Sequence, residues 1–267
     1  MPRTLRHCTA SALAALALLL FVDRPRAAAA EELSATTIVD RALANNAFGF
    51  QNAVAQVTLR LTAKDKSERV RQIEIRSRTA GKLTKTVVRF QSPADVAGTA
   101  FLILQNEGRD DDQYLYLPAL AKTKRITATQ RNQKFMGTDF TYADLESRDL
   151  RRASLTRRAD AKVGADAVFV IEAIPKDPKE SDYGKTVSFI HQTAFVPLKV
   201  EFYDKGQKLL KVLEVARLEL REGRHVVIES TVTNEQAGTR TRTQVGAIDF
   251  KAGLSDAEFT ERALSGG

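Results

Sequence analysis

Gln56-Val57-Thr58-Leu59-Arg60-Leu61 and Gln72-Ile73-Glu74-Ile75-Arg76 alternate polar and apolar residues without a break. A repeat of two is the period of a β-strand, whose successive side chains point to opposite faces, so each stretch predicts a strand with one face in a core and one in water. The same reading places strands near 82–90, 99–105, 113–117, 122–127, 148–158, 166–174, 185–192, 197–204, 208–220, 224–234 and 239–249. Turn signals such as Glu107-Gly108, Asp204-Lys205-Gly206, Glu222-Gly223 and Ala237-Gly238 separate them. Strands joined in sequence by short turns pair as an antiparallel meander, and roughly a dozen of them must curl rather than stay flat. The expected fold class is mainly β with some helix (α+β): a curved antiparallel sheet, or half-open β-barrel, with helices forming a lid.

Three stretches depart from the strand period. Ser34 to Asn46 has Ile38 and Ala42, and Val39 and Leu43, four residues apart, which predicts an amphipathic helix stopping at Asn45-Asn46. Between Thr129 and Leu145 the alternation fails, and a loop leading into a short helix from about Asp139 is expected. Near the C-terminus Ser255 and Glu258 have the spacing of a capping box, predicting a helix through Leu264. Helices before, within and after a curved sheet can cover one mouth and enclose an apolar space.

The N-terminus sets the expected compartment. Arg3 and Arg6 precede an apolar run from Ala10 to Val22, and Ala28-Ala29-Ala30 supplies small residues for cleavage. The run is shorter than the roughly 20 residues that span a bilayer as a helix, so the reading is a cleaved secretory signal over residues 1–30 rather than an anchor. Residues 31–267 are then expected to form a single periplasmic domain. Cys8, the sole cysteine, lies ahead of the apolar run, so the mature chain is expected to be unlipidated, with no disulfide and no thiolate chemistry. The formal charge of +8 belongs partly to the signal, and the remaining basic residues are spread among acids without a dense patch. That pattern argues against nucleic acid as a partner and leaves transient contact with a membrane surface open.

Reactive groups are few. Outside the signal the only histidines are His191 and His225, both on expected strands and without metal-ligand spacing, and they read as sheet-face residues. No nucleophile elbow, phosphate loop or dinucleotide fingerprint occurs. Asp110-Asp111-Asp112 lacks the alternating ligands and closing Glu of a calcium loop and reads as a solvated turn. Nothing calls for a cofactor, a metal or an enzymatic role.

The densest constellation is Phe135, Met136, Phe140 and Tyr142 around Gly137. Flexible Met beside aromatics suits a surface that accepts acyl chains, and the same residues could equally plug the sheet as core. Asp111-Asp112-Gln113-Tyr114-Leu115-Tyr116-Leu117-Pro118, then Lys124-Arg125-Ile126, then Phe135-Met136-Gly137-Thr138-Asp139-Phe140-Thr141-Tyr142, resembles the signature of LolA-like outer-membrane lipoprotein-sorting proteins, within a branch often encoded beside inner-membrane exporters of the resistance-nodulation-division type. The resemblance implies a LolA/LolB-like half-barrel whose cavity carries lipid or acylated lipoprotein through the periplasm, with such an exporter as a partner. The candidate lipid-binding residues are Val57, Leu59, Leu61, Phe101, Ile103, Tyr114, Tyr116, Phe135, Met136, Phe140 and Tyr142, a set that depends on strand phase, since a shift by one residue turns the opposite set inward. The alternative is a sensor or accessory protein with a filled barrel that binds a protein partner.

Overall fold

A computed structural model describes residues 32–44, 52–146, 152–179 and 181–266. The expected signal, the helix stop at Asn45-Asn46 and the first residues of the strand expected at 148–158 lie outside the described residues. Leu33–Gly267 forms one compact unit.

Thirteen strands make one antiparallel sheet. The first arm is β1 (Ala53–Thr62), β2 (Glu68–Ala80), β3 (Leu83–Ser92), β4 (Ala100–Leu104), β5 (Asp112–Leu117) and β6 (Lys122–Arg125). The second is β7 (Ala153–Val163), β8 (Asp166–Pro175), β9 (Tyr183–His191), β10 (Pro197–Asp204), β11 (Leu209–Arg221), β12 (Arg224–Asn234) and β13 (Thr239–Asp249). Within each arm every strand pairs with its chain neighbour, as a meander does, and the arms join where β1 pairs with β13. Consecutive strands pair throughout except β6 and β7, which lie at opposite edges of the sheet. The chain between them therefore runs from one edge to the other.

The alternation read from the sequence sets the two faces. Val57, Leu59, Ile73, Ile75, Val88, Phe90, Phe101, Ile103 and Leu115 share a core with Ile228 and Val245 on the inner face. Their neighbours Val87, Ala100 and Leu102 point the other way and pack with Phe259 and Leu264 of the C-terminal segment. That segment therefore covers the opposite face and not the mouth. Its capping box is present, with Glu258 Oε1 accepting from the Ser255 N–H at 2.8 Å, but it opens only a 3-10 turn, Asp256–Glu258. The helix α2 (Glu261–Leu264) starts afresh behind Thr260, whose hydroxyl accepts from Ala263 N–H. Three covering helices on one mouth are thus corrected to one helix and one crossing loop.

That helix is α1 (Ala35–Leu43), capped by Ser34, whose hydroxyl accepts from Thr37 N–H. Its four-residue repeat buries Ile38 and Val39 against Phe169, Ile171 and Ile190 of β8 and β9. The crossing loop carries a tight turn at Phe135–Gly137, and the short helix expected from about Asp139 is a 3-10 helix at Tyr142–Leu145, capped by Thr141 and Asp144. Phe135 and Tyr142 lie against Phe101 at centroid distances of 5.0 and 5.4 Å.

Replacing Phe101 with Ala empties the centre of this aromatic stack and should cost about 3–5 kcal/mol in urea unfolding. The exposed Leu220→Ala should stay within about 0.5 kcal/mol of the parent.

Candidate functional site: an apolar cavity under a tethered loop

The inner face is only partly filled. On the first arm the Phe90, Phe101, Phe135 and Tyr142 rings close the space between sheet and loop. Toward the second arm a cavity of about 350 Å³ remains, which falls within the usual range of small-ligand sites. Its walls are Val57 and Leu59 of β1, Ile73 and Ile75 of β2, Val200 and Phe202 of β10, Leu213 and Val215 of β11, Val232 of β12 and Val245 of β13. Phe135 and Phe140 of the crossing loop and Val39, Ala42 and Leu43 of α1 complete it. Register aligns the wall: Leu213 stands opposite Val200 on β10 and Val232 on β12. Val200, Phe202, Leu213 and Val215 are only half-buried, so their apolar surface faces the open space.

Of the eleven residues singled out in the sequence, Val57, Leu59, Phe135 and Phe140 line this cavity. Leu61 and Met136 pack at the edge of the inner core, while Phe101, Ile103 and Tyr142 lie within the aromatic plug. Tyr114 and Tyr116 are corrected: they belong to the opposite face and pack toward the C-terminal segment, because Leu115 takes the inward phase of β5. The plug and lid readings of the aromatic cluster thus describe two parts of one loop. Met136 contributes little side chain to the cavity because its backbone is left-handed (φ 48°) and its carbonyl accepts from the buried Arg71 guanidinium.

Polar side chains absent from the sequence-based set tie the loop down from both arms. Thr239 and Thr241 of β13 donate to the Asp139 carboxylate, and Thr241 also accepts from Asp139 N–H at 2.9 Å. Lys211 of β11 donates to Asp139 O at 3.0 Å and to the Asp144 carboxylate. Tyr183 of β9 donates to the other Asp144 oxygen at 2.9 Å. From the first arm, Gln113 donates to Tyr142 O at 2.9 Å. The Lys211 and Asp144 side chains are only 3% and 6% exposed, and the ammonium also lies 4.9 Å from the Phe202 ring centre. The available signal was strand phase: Lys211 shares a face with Leu213 and Val215, where a charged residue needs a partner. That partner is far along the chain and could not be named from the sequence.

The solvated-turn reading of Asp110-Asp111-Asp112 is also corrected. Asp111 is buried, and Asp110 sits between Arg131 and Arg152. Hydrogen bonds from Arg109, Asn106 and Arg125 hold the Asp112 carboxyl well below the usual carboxylate range. Its contribution to stability is therefore present at neutral pH and is lost only as pH falls below about 4. His191 ends β9, its Nδ1 accepting from Thr193 and Ala194 N–H, whereas His225 is exposed on β12. Neither lines the cavity.

A domain of an outer membrane lipoprotein-sorting protein from Vibrio parahaemolyticus is 32% identical to this chain, covering 87% of it and all of that domain, with a TM-score of 0.79. The chain belongs to the LolA-like outer-membrane lipoprotein-sorting protein family. A DUF1329 family protein from Desulfovibrio piger is 25% identical over 86% of this chain and 98% of its own, with a TM-score of 0.78. A LolA superfamily protein from Nitrosomonas europaea, 18% identical over 86% of this chain and 98% of its own, shares the fold with a TM-score of 0.66. A family model described as "Uncharacterized protein" matches residues 82–266. No curated protein matches the chain. In this LolA-like chain the sheet is open, not a closed barrel, and β6 and β7 are its free edges.

Removing one partner of the buried pair leaves the other charge stranded. Lys211→Met or Asp144→Asn should cost about 3–5 kcal/mol by chemical denaturation, while Lys211→Met with Asp144→Leu should recover most of the loss.

Proposed function

We propose that the protein is a periplasmic carrier that takes up an acyl chain of a lipid or lipoprotein into the cavity between the sheet and the crossing loop. The observation that carries this reading is the about 350 Å³ of space left open against half-buried Val200, Phe202, Leu213 and Val215, beside a loop otherwise packed as core. At about 30 Å³ for a group of water or methylene size, that space takes on the order of ten methylenes. At about 0.8 kcal/mol each, their burial would offset on the order of 8 kcal/mol of the cost of leaving a bilayer. Membership in the lipoprotein-sorting family supports the same reading. The cavity wall is mostly apolar, its Lys211 and Asp144 are engaged with each other, and neither histidine reaches it, which favours carriage over catalysis. Loading and release would occur by transient contact with a membrane or with a membrane-embedded donor such as an inner-membrane exporter. A filled barrel that binds a protein partner accounts for the aromatic plug but leaves the open half without a role.

The decisive test is native mass spectrometry of mature protein purified from the periplasm, followed by organic extraction. A lipid or lipopeptide bound at near-stoichiometric level is the expected result. A bare polypeptide that stays bare after incubation with membrane vesicles would overturn the proposal. Leu213→Trp, which fills the centre of the cavity wall, should lower occupancy roughly tenfold by taking the space of about two methylenes, and the thermal midpoint checks that the fold persists.

A further inference from the structure

A second cavity, of about 360 Å³, adjoins the apolar one, and Glu146 and Thr186 line both. Its other walls mix small apolar residues, such as Ala153, Ala173 and Pro175, with a cluster of charged ones. Arg109, Arg131, Arg152 and Lys179 face it together with the carboxylates of Asp110, Asp111 and Glu146, so among the described residues cations outnumber anions. The two spaces share a wall in the crossing loop: Asp144 and Leu145 look into the apolar side, Ala143 into the polar side and Glu146 into both. A molecule occupying both would need a hydrocarbon part and a charged head.

The arrangement of charge indicates which head. Arg131, only 19% exposed, meets Glu146 at 3.0 Å through Nε and reaches Asp110 through its terminal nitrogen. Arg152 Nη1 donates to the other Asp110 oxygen at 2.7 Å. Asp110 thus bridges two guanidinium groups, and its side chain is 41% exposed, so it can turn to solvent without crossing a packed layer. Guanidinium forks match the oxygens of phosphate as they match a carboxylate, and a phosphate taking the place of Asp110 would keep both arginines paired. Lys179, from the connection between β8 and β9, adds a further cation, and the hydroxyls of Ser181 and Thr186 line the same space.

We propose that this cavity receives the phosphate of an anionic lipid whose acyl chain lies in the adjoining apolar cavity. The proposal rests on the carrier reading and deepens it by naming the head of the cargo.

The test incubates the mature protein with vesicles of phosphatidylcholine, alone or mixed with phosphatidylglycerol bearing the same acyl chains, and measures the lipid that leaves with the protein. Phosphatidylglycerol should be taken up in preference to phosphatidylcholine by about tenfold or more, because the choline cation that accompanies the second lipid's phosphate would meet Arg109, Arg131, Arg152 and Lys179. Arg152→Gln should bring that ratio close to one, and Arg152→Lys should restore part of it. The thermal midpoint checks the fold. If Arg152→Gln lowers it, Lys179→Gln takes its place, with the same fall in the ratio expected. Inorganic phosphate supplies a further arm, in which competition against phosphatidylglycerol uptake supports a lipid headgroup site. Phosphate binding that depends on Arg152 yet leaves uptake unaffected would mean a free oxyanion site and overturn the proposal. Equal uptake of both lipids, indifferent to Arg152, would overturn it and leave the carrier reading standing. Failure to take up either lipid would overturn both.

Discussion

Everything distinctive in this molecule follows from the placement of β6 and β7 at opposite edges of one sheet. Two successive strands that cannot pair must be joined by chain that crosses the curved face between them. Where such a chain is buried, as at Phe135, Thr138, Asp139, Tyr142 and Leu145, its backbone polar groups need partners. Arg71, Gln113 and Lys211 meet that need at the carbonyls of Met136, Tyr142 and Asp139, and Thr241 at the Asp139 N–H, while Tyr183 and Thr239 hold the Asp144 and Asp139 carboxylates. Aromatic packing fills the near side of the crossing, and the far side keeps its open volume.

The buried Lys211–Asp144 pair illustrates why such tethers are ionic. An ion pair withdrawn from water contributes little net stability, since desolvation consumes most of the attraction, but it penalises any arrangement that separates its members. Tyr183, the Asp139 carbonyl and the Phe202 ring supply the additional contacts that a buried pair of charges requires. The consequence is specificity of placement: the loop lies in one position across an otherwise adaptable apolar surface. An apolar contact of similar area would hold the loop without fixing its register.

Strand positions were largely legible because period-two alternation is a local property that survives reading one residue at a time. Val57 and Leu59 could be assigned to the inner face for that reason. Tyr114 and Tyr116 could not, because β5 is short and alternates aromatic with aliphatic residues, so either phase looks apolar. The pairing of β1 with β13 and the separation of β6 from β7 are properties of the whole chain. Neither has a sequence signal of its own. The loop hid its chemistry similarly: Asp139 reads as an ordinary helix-start residue and Asp144 carries no signal until Thr241 and Lys211, distant in sequence, lie beside them. Asp110 reads as solvated turn because its two arginines lie beyond the strand that follows.

The seam between β1 and β13 also bears on how the chain is made. Val54 pairs with Asp249, so the first strand to emerge during synthesis waits for the last before its second edge is covered. Local hairpins within each arm form early because their loops are short, whereas this closure brings together almost the full length of the chain. Until then β1 presents unpaired backbone beside an apolar face, the combination most prone to wrong pairing with other chains. For a chain threaded across a membrane end first, assembly of the sheet would be a post-export event, and the interval before β13 arrives is when a periplasmic holdase would have the most to protect.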